Sequence, residues 1–127
     1  MLINKNSSEP VYKQVITQYK KQIVTGVLKP HDKLDSVRKL SYDIGINPNT
    51  LQKSFTQLEL SGICYTVPGK GRFVSEDAVS IITSNISQHL KILDKAIEEL
   101  AMCNLDIEEI IIKVRESYND AVNRINS

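Results

Sequence analysis

The chain has 127 residues, enough for one modest core or for a small domain with an oligomerisation appendage, and too few for a large multi-domain enzyme. Apolar residues make up 41% and charged residues 24% of it, which excludes wholesale disorder, and no run approaches the roughly 18 uninterrupted apolar residues of a membrane span. The net charge of +1 hides a division: residues 1–75 carry 11 basic and 5 acidic side chains, a net +6, whereas residues 76–127 carry 5 and 10, a net −5. A basic first part beside an acidic second part suits a protein of which only the first approaches a polyanion; two differently solvated surfaces account for the same numbers. The opening Met1-Leu2-Ile3-Asn4-Lys5-Asn6 lacks the apolar region of a signal peptide, so the expected compartment is the cytosol. Cys64 and Cys103 are isolated thiols without metal or disulfide spacing.

In chain order, Ser8-Glu9-Pro10 predicts the start of a helix, with a hydroxyl cap, a carboxylate at the positive end of the dipole and a proline in the first turn. Val11, Val15, Ile16, Tyr19 and Ile23 follow at helical spacing, and Gly26 ends the run before Pro30. A second helix is expected from a Ser36 cap to Gly45, turning Val37, Leu40 and Ile44 inward. A third starts at Asn47-Pro48, buries Leu51, Phe55, Leu58 and Leu60, and stops at Gly62. The period then changes: Ile63-Cys64-Tyr65-Thr66-Val67 and Phe73-Val74 read as two strands around Pro68-Gly69-Lys70-Gly71-Arg72, where Gly69 can take the positive φ of a type II turn. Val79, Ile82, Ile86, Leu90, Leu93, Ile97 and Leu100 predict one continuous helix of roughly 25 residues. Asn104 breaks it, Asp106 and Glu109 suggest a capping box, and Ile107, Ile111, Val114, Tyr118, Ala121 and Ile125 mark a last helix. A short link between two such helices makes an antiparallel pair, whose stripes need the first domain or a second copy to cover them. Such an appendage offers little volume for an effector pocket unless one forms between subunits.

The expected fold class is therefore mainly α with a small β-hairpin: a winged helix-turn-helix over residues 1–75, then a two-helix region over residues 76–127. In a winged helix the third helix reads the major groove of double-stranded DNA and the hairpin, or wing, touches backbone or minor groove. Each candidate contact has a second explanation. Arg38 stands in the first turn of its helix, where a cation opposes the dipole, and suits a phosphate or a solvated surface. Asn47, Asn49, Thr50, Gln52 and Lys53 open the third helix, where short polar side chains meet base edges and phosphates; Asn47 serves equally as a cap. Lys70 and Arg72 suit a groove or an ordinary hairpin, with Gly69 and Gly71 letting the backbone come close.

The residues themselves add a resemblance. Pro10-Val11-Tyr12, Ile23 with Gly26 and Pro30, Leu34-Asp35-Ser36-Val37-Arg38-Lys39-Leu40, Asn47-Pro48-Asn49-Thr50-Leu51, Leu58-Glu59, Gly62 and Gly69-Lys70-Gly71-Arg72-Phe73-Val74 stand in the order seen in GntR-family transcription regulators. The match to their DNA-binding domain spans residues 9–75, and the remainder resembles the short dimerisation region of the YtrA-like branch. Two positions depart from the family pattern: Pro30-His31 where Pro-Gly is common, and Leu34-Asp35-Ser36 where Leu-Pro-Ser is common, which places Asp35 near an expected DNA contact. The resemblance implies a homodimeric repressor on a palindromic operator of a nearby operon, such as one encoding an ATP-driven membrane transporter. It also implies DNA contacts from Ser36, Arg38, the third-helix residues and the wing. The stripe Ile82, Ile86, Leu90 and Leu93 against Val114, Tyr118 and Ile125 is the expected dimer interface.

Neither a cofactor nor a metal is expected, since His31 and His89 lack second ligands at helical spacing. Glu98-Glu99 and Glu108-Glu109 point in different directions on their helices and have no base, nucleophile or metal beside them, so no enzymatic site is expected. A winged-helix module that binds protein instead of DNA is the alternative function.

Overall fold

The computed structural model describes residues 1–126 and divides into two compact units, residues 1–83 and the residues from 84 onward. In the first unit, α1 (Val11–Val24) buries Val15, Tyr19 and Ile23, spaced by four, against α3 (Pro48–Leu60), which returns Leu51, Phe55 and Leu58. Between them α2 (Val37–Ile44) contributes Leu40. Ser36 caps α2 by accepting the Lys39 N–H at 3.1 Å, Gly45 closes it in the left-handed region, and Asn47 caps α3 through the Asn49 N–H at 2.8 Å. Each fully buried side chain of this size contributes about 1.5–3 kcal/mol. Buried Ser54 adds direction: its hydroxyl donates to the Tyr12 carbonyl at 2.9 Å and fastens α3 to the start of α1.

The hairpin consists of β1 (Cys64–Val67) and β2 (Gly71–Val74), antiparallel, with Cys64 opposite Val74 and Tyr65 opposite Phe73. Lys70 N–H donates to Val67 O at 2.9 Å across Pro68-Gly69, and Gly69 has φ +76°, as a type II turn requires. Residues 31–34 run along the other edge of β2: His31 N–H donates to Val74 O at 2.7 Å, Val74 N–H to Asp32 O at 2.9 Å and Leu34 N–H to Arg72 O at 2.9 Å. β2 is thus the middle member of a three-part arrangement, although the sequence predicts only a hairpin here.

Several expectations need correction. Ser8 does not cap α1: Pro10 occupies the cap position without a side-chain hydrogen bond, and the helix starts at Val11. Leu60 is 77% exposed, because it falls on the face of α3 opposite Leu51, Phe55 and Leu58. The helix expected across residues 79–100 is two, α4 (Ala78–Thr83) and α5 (Ile86–Met102). Thr83, Ser84 and Asn85 are short polar residues that compete for backbone groups, and the Thr83 hydroxyl donates back to Val79 O at 2.9 Å. Consequently Ile81 and Ile82 pack on the winged-helix core, Ile82 leaves the expected dimer stripe, and the first unit ends after Thr83 instead of Ser75.

In the second unit, α5 ends in a Schellman motif: Asn104, at φ +60°, donates to Ala101 O at 3.0 Å and Leu105 N–H to Leu100 O at 3.1 Å. The Asp106 carboxylate accepts the Glu108 N–H at 3.4 Å ahead of α6 (Ile107–Asn126), so the cap engages Glu108 and not the expected Glu109 N–H. No residue of α5 is buried, and within one chain the two helices leave most of their apolar stripes in water.

Both departures from the family pattern have structural partners. His31 takes φ +69°, a value glycine adopts freely; its ring lies between the Tyr65 hydroxyl, 2.8 Å from Nδ1, and Glu76 Oε2, 2.6 Å from Nε2. Asp35 Oδ2 accepts the hydroxyl of buried Tyr19 at 3.0 Å. Burial pushes the Tyr19 hydroxyl far above its ordinary 10.0, and the charge of Asp35 and the hydrogen bond to it add to the shift. A raised folded-state value means stability that is complete below pH 10 and lost above it, where the unfolded tyrosine ionises and the folded one does not. Tyr19→Phe should therefore lower stability at pH 8 by about 1 kcal/mol and flatten its decline above pH 10. Urea midpoints from pH 8 to 11 check this; parallel declines in the two proteins would refute it.

Candidate nucleic-acid interface

The outward face of α3 follows from its inward one. With Leu51, Ser54, Phe55 and Leu58 buried, the helical period points Asn49, Lys53 and Thr56 away from the core, with exposed Gln52 beside them. Thr50 is half-buried and sits on the flank. Lys53 Nζ lies 3.9 Å from the centroid of the Tyr12 ring, so α1 holds its ammonium against the edge of this face. Thr56 was not singled out in the sequence; its position seven residues after Asn49 is the signal that could have found it. Asn47 uses its side-chain oxygen as the cap and keeps its amide donors, so capping and contact are compatible.

At the start of α2, Ser36 Oγ accepts its cap bond and keeps its own hydrogen to donate. Arg38 is exposed one residue into the helix and has no ion-pair partner among the described residues. A cation there opposes the dipole, and an anion from outside the molecule would relieve it. Tyr42 lies on the same side one turn later and is 90% exposed, a position that no local sequence pattern announces, because an isolated tyrosine carries none.

Beyond α3, the wing presents Lys70 at an open tip where a side chain on Gly69 would meet nothing within 4 Å. Arg72 lies elsewhere than at the tip: its Nε donates to Glu59 Oε1 at 2.9 Å and its guanidinium sits 5.2 Å from the Phe55 centroid. The Thr66 hydroxyl donates to the same carboxylate oxygen, so Glu59 ties both strands to α3. Arg72 thereby sets the position of the wing. Gly71 has φ +128°, which strains any side chain whatever the space around it, so a substitution there tests the hairpin before it tests a groove.

A helix whose outer face is polar and cationic from Asn49 to Thr56, in a unit that also exposes Arg38 and a glycine-tipped hairpin, is an arrangement for nucleic acid. The family described as bacterial regulatory proteins, gntR family, matches residues 11–74. The chain belongs to the GntR family. It is 34% identical over 119 residues to the HTH-type transcriptional repressor YtrA of Bacillus subtilis (strain 168), covering 93% of this chain and 92% of that protein. A GntR family transcriptional regulator from Listeria monocytogenes superposes with a TM-score of 0.67 at 34% identity, over 87% of this chain and 97% of that one. The DNA-binding domain of AraR, solved in complex with operator ORX1, superposes with a TM-score of 0.53 at 27% identity, over 59% and 93%. This GntR chain is accordingly a transcriptional regulator with a winged-helix DNA-binding domain, and not an enzyme.

The GntR match stops at Val74, and the stripes beyond it have a geometry of their own. Ile86, Leu90, Leu93, Val114 and Tyr118 are exposed, Tyr118 at 69%, while Ile125 is half-buried. Ile97 and Ala101 of α5 and Ile107, Ile111 and Val114 of α6 line an open apolar groove of about 550 Å³, a larger space in one chain than the sequence suggested. No described helix is long and apolar enough to cross a membrane.

Proposed function

We propose that this protein is a homodimeric, sequence-specific repressor acting in the cytoplasm on a palindromic operator. In this reading Asn47, Asn49, Gln52, Lys53 and Thr56 face the major groove, Ser36 and Arg38 bind phosphate, and the wing reaches the adjacent backbone or minor groove through Lys70. The observation that carries it is the outer face of α3, polar and exposed from Asn49 to Thr56, in a chain whose Arg38 is exposed and has no ion-pair partner among the described residues. That polarity also disfavours a protein-binding module, which would present an apolar α3. Likeness to the repressor YtrA along almost the whole chain supports repression by a short regulator. Control of a nearby operon, such as one for an ATP-driven transporter, belongs to the same proposal.

Selection of bound fragments from a random duplex pool should recover a palindrome with half-sites one or more helical turns apart. On that duplex, Arg38→Ala should leave the fold intact and flatten the dependence of log K on log salt by about one unit. Recovery of no common sequence, or an unchanged slope, would count against the specific reading and against Arg38 respectively.

A further inference from the structure

We propose that Lys33 supplies the second DNA-binding cation of the wing, seated in the notch left by the missing side chain of Gly71. The inference rests on the DNA-binding reading above and adds to it a residue outside the hairpin. Arg72 is committed to Glu59 and Phe55, which leaves the hairpin with Lys70 alone at its tip. Lys33 stands opposite Phe73 in an isolated antiparallel bridge, so the two side chains share one face of the sheet. Gly71 is two residues before Phe73 and lies on that face as well. The stem of Lys33 crosses there: a Cβ on Gly71 would stand 2.9 Å from Lys33 Cε and 3.7 Å from its Nζ. The ammonium is thus laid along β2 toward the turn that carries Lys70.

Lys33 is exposed and has no ion-pair partner among the described residues. The acidic side chains around the sheet are engaged elsewhere. Asp32 accepts the Lys29 N–H at 2.8 Å, Asp35 the Tyr19 hydroxyl, Glu59 Arg72 and Thr66, and Glu76 lies on the His31 ring. A cation so placed is available to a phosphate passing the wing, and its stem is ordered by contact with the strand before DNA arrives, which reduces the entropy lost on binding.

The test is titration of the selected operator duplex by full-length protein at 50 to 200 mM salt. Lys33→Ala should bind more weakly at 50 mM and lower the log–log salt slope by about one unit, so that its deficit against the parent protein narrows about threefold by 200 mM. Lys33→Arg should keep the parental slope. A Lys33→Ala protein with parental affinity and slope would overturn the proposal, as would a deficit equal at every salt concentration, which marks a packing role. If Arg38→Ala loses its unit of slope while Lys33→Ala does not, only the Lys33 assignment falls. If the parent protein shows no salt-dependent affinity for the duplex, the DNA-binding reading falls with it.

Discussion

Replacing Leu90 and Leu93 together by Asp is expected to turn a dimer into a folded monomer that binds the palindromic operator about 10²- to 10⁴-fold more weakly. Both leucines are exposed in one chain, so within the monomer the change removes little packing. In a dimer each copy would bury them, and each Leu or Ile so covered is worth about 1.5–3 kcal/mol. Association costs an estimated 4 to 15 kcal/mol, so one residue cannot hold the dimer but the joint stripes of α5 and α6 can. A chain ending after Thr83 should behave alike, since the first unit holds its own core. Light scattering at tens of micromolar and operator titration read the two effects. A parental chain that is already monomeric, or a double variant that remains dimeric, would remove the interface proposed for these helices.

Phe55→Ala is the second large effect, and it falls on the fold and the wing together. Phe55 is fully buried, its ring centroid lies 5.5 Å from that of Tyr19, and Arg72 covers it from the hairpin. A buried Phe→Ala change costs about 3–5 kcal/mol, a large part of the 5–15 kcal/mol that holds a domain together. The urea midpoint should drop accordingly, and Arg72 should lose one of its two anchors. Phe55→Leu should lose much less. An unfolding free energy for Phe55→Ala within about 1 kcal/mol of the parent's would show that Phe55 does not link α1, α3 and the wing in this way.

Helix α1 was legible from periodicity, as Val15, Tyr19 and Ile23 repeat by four, and α2 and α3 from periodicity and caps together, as Ser36, Gly45 and Asn47 mark ends with the chemistry those ends require. The turn at Pro68-Gly69 was legible for the same reason. What escaped depends on pairs far apart in the chain. The bond from Arg72 to Glu59 turns a presumed tip cation into a brace, and no local pattern announces it. The pairing of residues 31–34 with β2 has no alternation of its own. The single long helix failed for another reason: Val79, Ile82 and Ile86 keep helical spacing across Ser84-Asn85, so the apolar period continued through a break made by polar side chains. Among the candidate contacts, Arg38, Asn49, Gln52 and Lys53 are exposed and Thr50 is half-buried, whereas Ile82 packs on the core.

The bridge between Lys33 and Phe73 also bears on the order in which the molecule assembles, because its two residues are about forty apart in sequence. Closing a flexible loop of that length costs about 3 kcal/mol in chain entropy, and the few backbone hydrogen bonds along residues 31–34 return about 1 kcal/mol each. Most of the intervening chain is α2 and α3, whose own contacts are made over much shorter separations. Once those two helices are packed, the ends of the loop are already near one another and the closing cost is largely met. Residues 31–34 are therefore expected to join β2 after α2 and α3 have packed on one another, so the outer strand of the wing is assembled against a reading helix already in place.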